Sequence, residues 1–270
     1  MTRFAALQTV STPDVDRNLE AAARLVQQVV EAGANWVALP EYFCLMGQRD
    51  DAKLAIAEAD GVGPIQRFLS ETARRHRVHL VGGTLPVRAA VPARVRNACC
   101  VYGPDGTRLA RYDKIHLFAF DNGREQYDEA RVLEAGEQPV AFESEGWRAG
   151  LSVCYDLRFP ELYRALGRPP CDVLFVPSAF TYTTGSAHWL LLLRARAVEN
   201  QCYVVAPAQG GLHENGRRTF GHSAVIDPWG QVLACVHEGG DGEGIAIADL
   251  SHDRIAEVRA QLPALRHRRL

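Results

Sequence analysis

An alternation of two kinds of segment predicts an α/β fold, and the composition predicts a globular protein. Short apolar segments rich in β-branched residues alternate along the chain with longer segments whose apolar residues recur at helical spacing. The composition is typical of a globular protein, since 47% of the 270 residues are hydrophobic and 23% are charged, enough to bury a large core. No low-complexity tract or linker-like Pro/Gly/Ser segment interrupts the pattern. A single domain over residues 1–270 is therefore expected.

Proline and glycine mark the helix boundaries in the first third of the chain. Thr12 is the predicted N-cap of the first helix, Pro13 occupies its first position, and Gly33 ends it. Gly63 and Pro64 open a second helix in the same way. The predicted elements are, in order, a strand at 4–8, a helix from 13 up to Gly33, a strand at 36–39, a helix at 64–76 and a strand at 78–81.

The rest of the chain continues the alternation and adds two predicted hairpins. Residues 101–110 and 225–234 each place a Pro-x-Gly turn between two strands. Their similarity has two interpretations. Either the fold has two comparable halves, or the two hairpins are alike only because such turns are common in hairpins. Further strands are predicted at 98–102, 150–154, 173–176 and 203–206, and further helices at 161–166, 187–199 and 252–261.

The charge balance and the cysteines restrict the class of function. Thirty basic against 32 acidic residues leave a formal net charge of −2, which disfavours a protein that binds nucleic acid or an anionic membrane. No uncharged apolar segment reaches the roughly 18 residues of a transmembrane helix, and the N-terminus lacks the apolar segment of a secretory signal. Seven scattered cysteines without C-x-x-C spacing are expected to be reduced, as in a cytoplasmic protein.

Reactive side chains occur at predicted strands that lie far apart in the sequence. Glu41 follows the strand Trp36-Val-Ala-Leu-Pro, Cys154 ends another, and Lys114 interrupts a third strand-like segment. Because strand ends in α/β folds converge on one face, these side chains can meet there. A thiol, a base and a cation together allow nucleophilic catalysis. Taken singly, each also fits a structural role: a buried thiol, a capping carboxylate and a solvated lysine.

Together these residues belong to long motifs that resemble a known family. The segments ALPEYF, YDKIHLF and GLSVCYDLRFPELYR, which contain Glu41, Lys114 and Cys154, closely resemble the three catalytic motifs of the nitrilase superfamily, the carbon–nitrogen hydrolases. Residues 180–189, 194–209 and 221–230 also resemble family segments, in family order, so the resemblance covers nearly the whole chain. It implies a four-layer α-β-β-α sandwich, two sheets face to face with helices outside.

The resemblance also implies a mechanism. Glu41 would be the general base that takes the proton of Cys154, whose sulfur attacks the amide carbon. Lys114 would stabilise the oxyanion, or donate a proton, together with the backbone N–H of Tyr155. The resulting thioester would then be hydrolysed by water that Glu41 activates.

A second glutamate shortly after the lysine is common in the family and would hold the lysine in place. Glu129 is the best match, and Glu125 and Glu134 are alternatives close to it in sequence. The resemblance implies neither a metal nor another cofactor. The histidines at 116, 188, 213 and 222 are too dispersed for a metal site.

The version of the motifs in this chain resembles one branch most, the branch that contains deaminated glutathione amidase and ω-amidase. Residues 202–213 and 217–223 favour the former. The implied reaction is hydrolysis of a small carboxylate-bearing amide to the acid and ammonia, in a homodimer or a larger homo-oligomer. The alternatives are an ω-amidase acting on α-ketoglutaramate or α-ketosuccinamate and, from another class, a catalytically silent scaffold or interaction homologue without a reactive thiol.

A carboxylate-bearing substrate requires a cation in the pocket, and three arginines are candidates. Arg158 belongs to the motif around Cys154, and Arg217 and Arg218 lie in a predicted loop. Each fits a structural ion pair equally well. Tyr155, Thr184 and His188 are further candidates for contact with the substrate.

Overall fold

Two β-sheets packed face to face form the centre of the molecule, with helices on both outer faces. The computed structural model describes residues 1–236 and 241–269. The predicted α/β class and the four-layer α-β-β-α arrangement are confirmed. A single domain over residues 1–270 stays a prediction.

Parallel and antiparallel strands are combined in the first sheet. Its seven strands are β1 (Thr2–Gln8), β2 (Trp36–Ala38), β3 (His79–Val81), β4 (Leu85–Arg88), β5 (Val95–Tyr102), β6 (Arg108–Asp113) and β17 (Gly244–Leu250). They lie in the order β17-β1-β2-β3-β5-β4, and β6 pairs with β5. The central strands β1, β2 and β3 run parallel.

Six strands in the order β16-β15-β12-β11-β10-β9 make up the second sheet. They are β9 (Val140–Ser144), β10 (Trp147–Leu151), β11 (Val173–Phe175), β12 (Tyr203–Ala206), β15 (Ala224–Ile226) and β16 (Val232–Cys235). Two separate hairpins pair β7 (Ala119–Asp121) with β8 (Gln126–Asp128) and β13 (Gly210–Leu212) with β14 (Arg218–Phe220).

Helices cover the outer faces because their apolar stripes pack on the sheets. The helices are α1 (Val15–Glu31), α2 (Ala52–Ala55), α3 (Pro64–His76), α4 (Pro160–Leu166), α5 (Tyr182–Asn200) and α6 (His252–Gln261). Leu25 of α1 and Leu69 of α3 are buried against the first sheet. Tyr163 of α4 and Leu193 of α5 are buried with the second sheet.

Aromatic side chains fill the space between the sheets. The rings of Phe4 in β1 and Trp147 in β10 lie 5.0 Å apart, edge to face. The rings of Trp36 in β2 and Phe175 in β11 are stacked at 5.9 Å. These contacts place β1 opposite β10 and β2 opposite β11, and so fix the relative positions of the loops that follow β2 and β10.

Both predicted hairpins are confirmed, and several predicted boundaries are wrong, among them the start of α5, which begins at Tyr182 and not at 187. β5 pairs with β6 in one sheet and β15 with β16 in the other, which favours two comparable halves. The N-cap of α1 is Asp14, not Thr12: the Asp14 carboxylate accepts the Arg17 N–H at 3.1 Å, while the Thr12 hydroxyl bonds to Asn18. The strand predicted at 150–154 ends at Leu151, and a 3-10 turn begins at Cys154, whose backbone adopts a left-handed conformation.

Two further findings concern the whole of the described chain. Among residues 1–236 and 241–269, no helix combines the length and apolar character needed to cross a membrane. All seven cysteines are free thiols, and six of them are buried.

Candidate active site

Each of the three predicted catalytic residues follows the carboxyl end of a strand. Glu41 follows β2, Lys114 follows β6, and Cys154 follows β10. All three are buried, with exposed fractions of 1%, 1% and 7%. The structure brings them together, since Lys114 binds Glu41 directly and the charges of both act on the Cys154 thiol.

Lys114 lies between two carboxylates. Its Nζ donates to Glu41 Oε1 at 2.9 Å and to Glu129 Oε2 and Oε1 at 2.7 and 3.0 Å. Of the three glutamates considered for this contact, Glu129 is the one that reaches Lys114. Glu125 instead accepts from Thr183 at 2.8 Å, and Glu134 pairs with an arginine.

The two carboxylates keep Lys114 charged despite its burial. Desolvation by itself lowers the pKa of Lys114, but the negative charges of Glu129 and Glu41 outweigh it and raise that pKa above its usual value. Burial likewise raises the pKa of Glu129, and the Lys114 ammonium outweighs burial and leaves that pKa below its usual value. A fixed positive charge therefore stands beside the Cys154 thiol, where it could stabilise an oxyanion.

The surroundings of Cys154 favour the neutral form of its thiol. Burial, and then the charge of Glu41, raise the pKa of the thiol well above its ordinary value, although Lys114 and the backbone of Ala179 act in the opposite direction. A thiol in this state needs a base to become a nucleophile, and Glu41 is beside it. A thiol with a raised pKa reacts slowly with thiol-labelling reagents at neutral pH, even in an active enzyme. Slow labelling of Cys154 would therefore not identify a catalytically silent homologue.

A short 3-10 turn, Cys154–Arg158, presents the thiol. Cys154 has φ = 49°, a left-handed conformation unusual for a residue with a side chain, and its N–H donates to Pro177 O at 2.9 Å. The buried carboxylate of Asp156 holds the turn by accepting from the Val153 N–H at 2.8 Å and from the Tyr112 hydroxyl at 2.7 Å. The strain at Cys154 is thus held by hydrogen bonds on both sides.

Sequence reasoning missed two residues that position the cluster. Asn97 in β5 donates its amide to Glu41 Oε1 at 2.9 Å and accepts the Lys114 backbone N–H at 3.1 Å. Tyr42 donates its hydroxyl to Glu129 Oε1 at 2.7 Å. The available signals were an isolated amide in an apolar strand and a tyrosine directly after Glu41 in its motif.

Sequence reasoning also missed the backbone of Ala179. Its carbonyl accepts from Arg217 Nη2 at 2.9 Å, and its N–H lowers the pKa of the Cys154 thiol. Any residue has these two groups. No sequence pattern could have indicated this contact.

A narrow pocket opens at the thiol, and we call it the Cys154 pocket. Tyr155, Arg158 and Thr184 line it together with Cys154, as do Phe118, Ala179, Phe180 and Thr181. His188 lies outside this lining and is exposed, and it contacts the pocket through its Nδ1, 3.1 Å from Arg158 Nη1. Of the six residues considered for substrate contact, three therefore line the Cys154 pocket and His188 lies behind one of them.

Arg217 and Arg218, the other two, line a separate cleft that borders the same site. Arg217 Nη2 donates to Ala179 O, and the Arg217 guanidinium lies 5.0 Å over the ring of Tyr127. Its Nε is buried without a hydrogen-bond partner in the described part of the chain. A buried donor without a protein partner is unusual in a folded protein.

The four histidines considered above each have a different partner. A ring nitrogen of His116 bonds to Asp156, and one of His188 bonds to Arg158. His213 bonds to the Ser11 carbonyl, and His222 bonds to the Phe220 carbonyl. Within residues 1–236 and 241–269, no group of three His, Cys, Asp or Glu side chains is arranged to hold a metal ion.

Comparison with known proteins gives relatives over the full length of the chain. The model of the carbon-nitrogen hydrolase family matches residues 3–260. A deaminated glutathione amidase of Synechocystis sp. (strain PCC 6803 / GT-S) is 44% identical over 268 residues, covering 98% of this chain and 97% of the relative. The omega-amidase NIT2 of Homo sapiens is 37% identical over 269 residues, covering 99% and 95%.

A solved structure agrees with these relatives. The crystal structure of Saccharomyces cerevisiae Nit3, a member of branch 10 of the nitrilase superfamily, matches with a TM-score of 0.88 at 31% identity, over 100% of this chain and 97% of that chain. The fold and the family predicted from the motifs are confirmed. This chain belongs to the carbon–nitrogen hydrolase family and is an amidase, a hydrolase of carbon–nitrogen bonds other than peptide bonds.

Proposed function

We propose that the protein hydrolyses deaminated glutathione through a thioester on Cys154. The observation that carries the mechanism is the buried cluster in which Lys114 bridges Glu41 and Glu129 beside the thiol. The choice of substrate rests on the 44% identity to a deaminated glutathione amidase. The omega-amidase relative, at 37% identity, supports hydrolysis of α-ketoglutaramate or α-ketosuccinamate as the alternative activity.

Acylation begins with proton transfer from Cys154 to Glu41. The sulfur attacks the amide carbon, and the carbonyl oxygen becomes an oxyanion that Lys114 and the backbone N–H of Tyr155 stabilise. The carbonyl re-forms, the carbon–nitrogen bond breaks, and the leaving nitrogen takes the proton that Glu41 received. The products of this step are a free amine and a thioester.

Deacylation repeats the same steps with water. Glu41 takes a proton from a water molecule, whose oxygen attacks the thioester carbon to form a second oxyanion beside Lys114. The carbon–sulfur bond then breaks, the acid leaves, and the sulfur recovers its proton from Glu41. Glu129 positions Lys114 through both steps by means of its two contacts with Nζ.

The leaving group depends on the type of amide. An ω-amide such as α-ketoglutaramate has a primary amide and releases ammonia. Deaminated glutathione contains a secondary amide, so its hydrolysis releases the dipeptide cysteinylglycine together with 2-oxoglutarate. The acid and ammonia expected from sequence are therefore the products of the alternative substrate only.

The substrate carries carboxylates, and two arginines are suited to bind them. Arg158 lines the Cys154 pocket, with Tyr155 and Thr184 as neighbours and His188 behind it. Arg217 borders the site from the other side of Ala179 and retains an unpartnered Nε. Guanidinium groups bind carboxylates through two parallel hydrogen bonds, which supports both assignments.

We infer a homodimer in the cytoplasm. Leu191 and Val198 of α5 and the nearby Trp229 are large apolar side chains that lie exposed on one face. The turn that contains Trp229 lies against α5, since Arg194 Nε donates to Gly230 O at 2.8 Å. An exposed apolar surface on a monomer favours burial against a second copy. The free state of all seven thiols agrees with a reducing compartment.

A panel of substrates tests the proposed function. Wild-type protein is expected to hydrolyse deaminated glutathione with a higher kcat/KM than α-ketoglutaramate, measured by release of 2-oxoglutarate. Cys154→Ala should lower kcat at least about 1,000-fold, because the nucleophile is lost. Cys154→Ser should be nearly as inactive, because a hydroxyl is much harder to deprotonate than a thiol.

The control is Cys235→Ala, which removes a half-buried thiol outside the site and should leave kcat unchanged. Circular dichroism should confirm that each variant keeps the fold. Activity retained in Cys154→Ala would contradict the mechanism. A strong preference for α-ketoglutaramate would instead favour the ω-amidase alternative.

A further inference from the structure

A large cleft, separate from the Cys154 pocket, borders the catalytic cluster. We call it the cationic cleft. Three segments form it: the loop after β2, the β7–β8 hairpin and the turn between β13 and β14. Its volume of about 450 Å³ lies within the range of about 300–1,000 Å³ typical of sites for small ligands.

The cleft is positive in a chain that is slightly negative. Its lining contains five Lys or Arg side chains and two carboxylates, an excess of three positive charges. The chain as a whole has a formal net charge of −2. A concave surface of one sign of charge attracts ligands of the opposite sign. The cleft is therefore suited to a ligand that carries a carboxylate.

Three of the five cations are already paired, and two are available. Arg49 pairs with Asp51, Arg218 with Asp241, and Lys53 with Asp50, at distances of 3.1, 3.2 and 3.7 Å, respectively. In contrast, the Arg124 side chain has no ion pair or hydrogen bond within residues 1–236 and 241–269. Arg217 keeps its buried Nε without a partner.

Residues of the cationic cleft connect it to the Cys154 pocket and to the catalytic cluster. Arg217 of the cleft donates to the carbonyl of Ala179, which also lines the Cys154 pocket. Tyr42 of the cleft donates to Glu129, which holds Lys114. An amide bond at the Cys154 sulfur would thus have the narrow pocket beside it and the wide, positive cleft beyond Arg217 and Tyr42.

We propose that the cationic cleft binds the leaving amine of a secondary amide, with the terminal carboxylate of that amine at Arg124. The proposal rests on the proposed function and assigns the narrow Cys154 pocket to the acyl half. For deaminated glutathione, the ligand of the cleft is the cysteinylglycine half. A primary amide leaves the cleft empty, because its leaving group is ammonia. The residues of the cleft therefore determine specificity between secondary and primary amides.

Three substrates and one substitution test this assignment. The substrates are deaminated glutathione, the same compound with a C-terminal carboxamide, and α-ketoglutaramate. Wild-type protein should prefer the carboxylate over the carboxamide. Arg124→Gln should lower kcat/KM for deaminated glutathione about fivefold, mainly through KM, as expected for loss of an exposed ion pair. The other two substrates should be unaffected by it.

Arg88→Gln is the matched control, because Arg88 is also an exposed arginine but lies at the end of β4, outside the cleft. It should leave all three kcat/KM values unchanged. A rise to about 0.5 M salt should reduce the wild-type preference for the carboxylate, since salt screens exposed charges.

An equal effect of Arg124→Gln on all three substrates would overturn the proposal, as would equal use of the carboxylate and the carboxamide by the wild type. Failure of the proposed function has a different signature: the wild type would hydrolyse neither deaminated glutathione nor its carboxamide, whether or not it hydrolyses α-ketoglutaramate.

Discussion

Tyr42 connects two parts of the site at the scale of a single residue. Its hydroxyl donates to Glu129 Oε1 at 2.7 Å, and Glu129 in turn binds Lys114. Its backbone N–H donates to the Thr84 hydroxyl at 2.9 Å, in a residue with φ = 58°. The strained turn at Tyr42 therefore positions two groups at once: the neighbouring Glu41, and the tyrosine hydroxyl that holds Glu129 against Lys114.

Tyr42→Phe should weaken catalysis without preventing binding. The ring is kept, but the charged carboxylate of Glu129 loses one hydrogen bond, so the pKa of Glu129 should rise. We expect kcat to fall about tenfold, the effect of one hydrogen bond to a charged group, with little change in KM. Because Glu129 is then protonated at higher pH, the acidic limb of the pH–rate profile should shift upward.

The matched control is Tyr102→Phe, a buried tyrosine of β5 remote from the cluster, which should leave the pH–rate profile unchanged. The positioning role of Tyr42 would be refuted by a profile identical to the wild type. A loss of kcat with no shift of the acidic limb would point to a general effect on the fold.

The sequence indicated the three residues at the centre of the cluster better than the residues that position them. Glu41, Lys114 and Cys154 were identifiable because each belongs to a long motif. Asn97 lies 56 positions from Glu41 in the sequence, and their hydrogen bond exists only because β5 and the loop after β2 meet in the fold. Short-range patterns contain no information on such a contact.

At the scale of elements, a buried histidine follows β13 directly, at the start of the turn in the β13–β14 hairpin. His213 donates from Nδ1 to the Ser11 carbonyl at 2.9 Å, and its Nε2 lies 2.8 Å from the Thr219 hydroxyl. Burial lowers the pKa of His213 to about 4. The hairpin carries Arg217 to the cationic cleft, so protonation of His213 affects an element of the site.

The fold should lose stability in acid through His213. The neutral form is favoured in the folded state, so this contribution is complete above the unfolded pKa near 6.5 and is lost as pH falls from there toward 4. Between pH 7 and 4.5 we expect a loss of about 2 kcal/mol in the free energy of unfolding from this residue. Urea unfolding of the wild type and of His213→Gln at both pH values measures it.

His213→Gln should show a smaller drop between the two pH values than the wild type. His267→Gln, at an exposed histidine near the C-terminus, is the control and should follow the wild type. Equal pH dependence in all three proteins would exclude His213 as the titrating group.

Elements with strong periodicity or turn residues were predicted well, and irregular ones were not. The starts of α3 at Pro64 and of α6 at His252 agree with the sequence prediction. The β7–β8 hairpin was not predicted, because residues 119–128 are mostly exposed and show no alternation of apolar side chains. This hairpin forms one wall of the cationic cleft, so the cleft could not be predicted either.

At the scale of the whole molecule, the inferred dimer depends on the apolar face of α5. Leu191 and Trp229 are 68% and 54% exposed, although the rest of α5 contributes Trp189 and Leu193 to the core. A 19-residue helix with apolar side chains on opposite faces is typical of an element buried between two bodies. The sequence did not predict this exposed face of α5, nor the order of strands within the sheets. Both depend on contacts between distant segments, which local patterns do not show.

Leu191→Glu should convert the inferred dimer to a monomer. A charge at the centre of an apolar contact is costly to bury, so association should weaken at least about 100-fold. Sedimentation velocity over a range of protein concentrations measures the change. Val62→Glu is the control, since Val62 is also 68% exposed but lies before α3, away from this face. A wild-type protein that sediments as a monomer at all concentrations would contradict the inference.

The protonated state of Cys154 has a consequence for the lifetime of the enzyme. Peroxide oxidises thiolates much faster than thiols, and burial together with Glu41 favours the thiol form of the sulfur. We therefore expect peroxide to inactivate molecules in turnover, in which the sulfur is deprotonated, faster than idle molecules. Inactivation rates measured with and without substrate would show the difference.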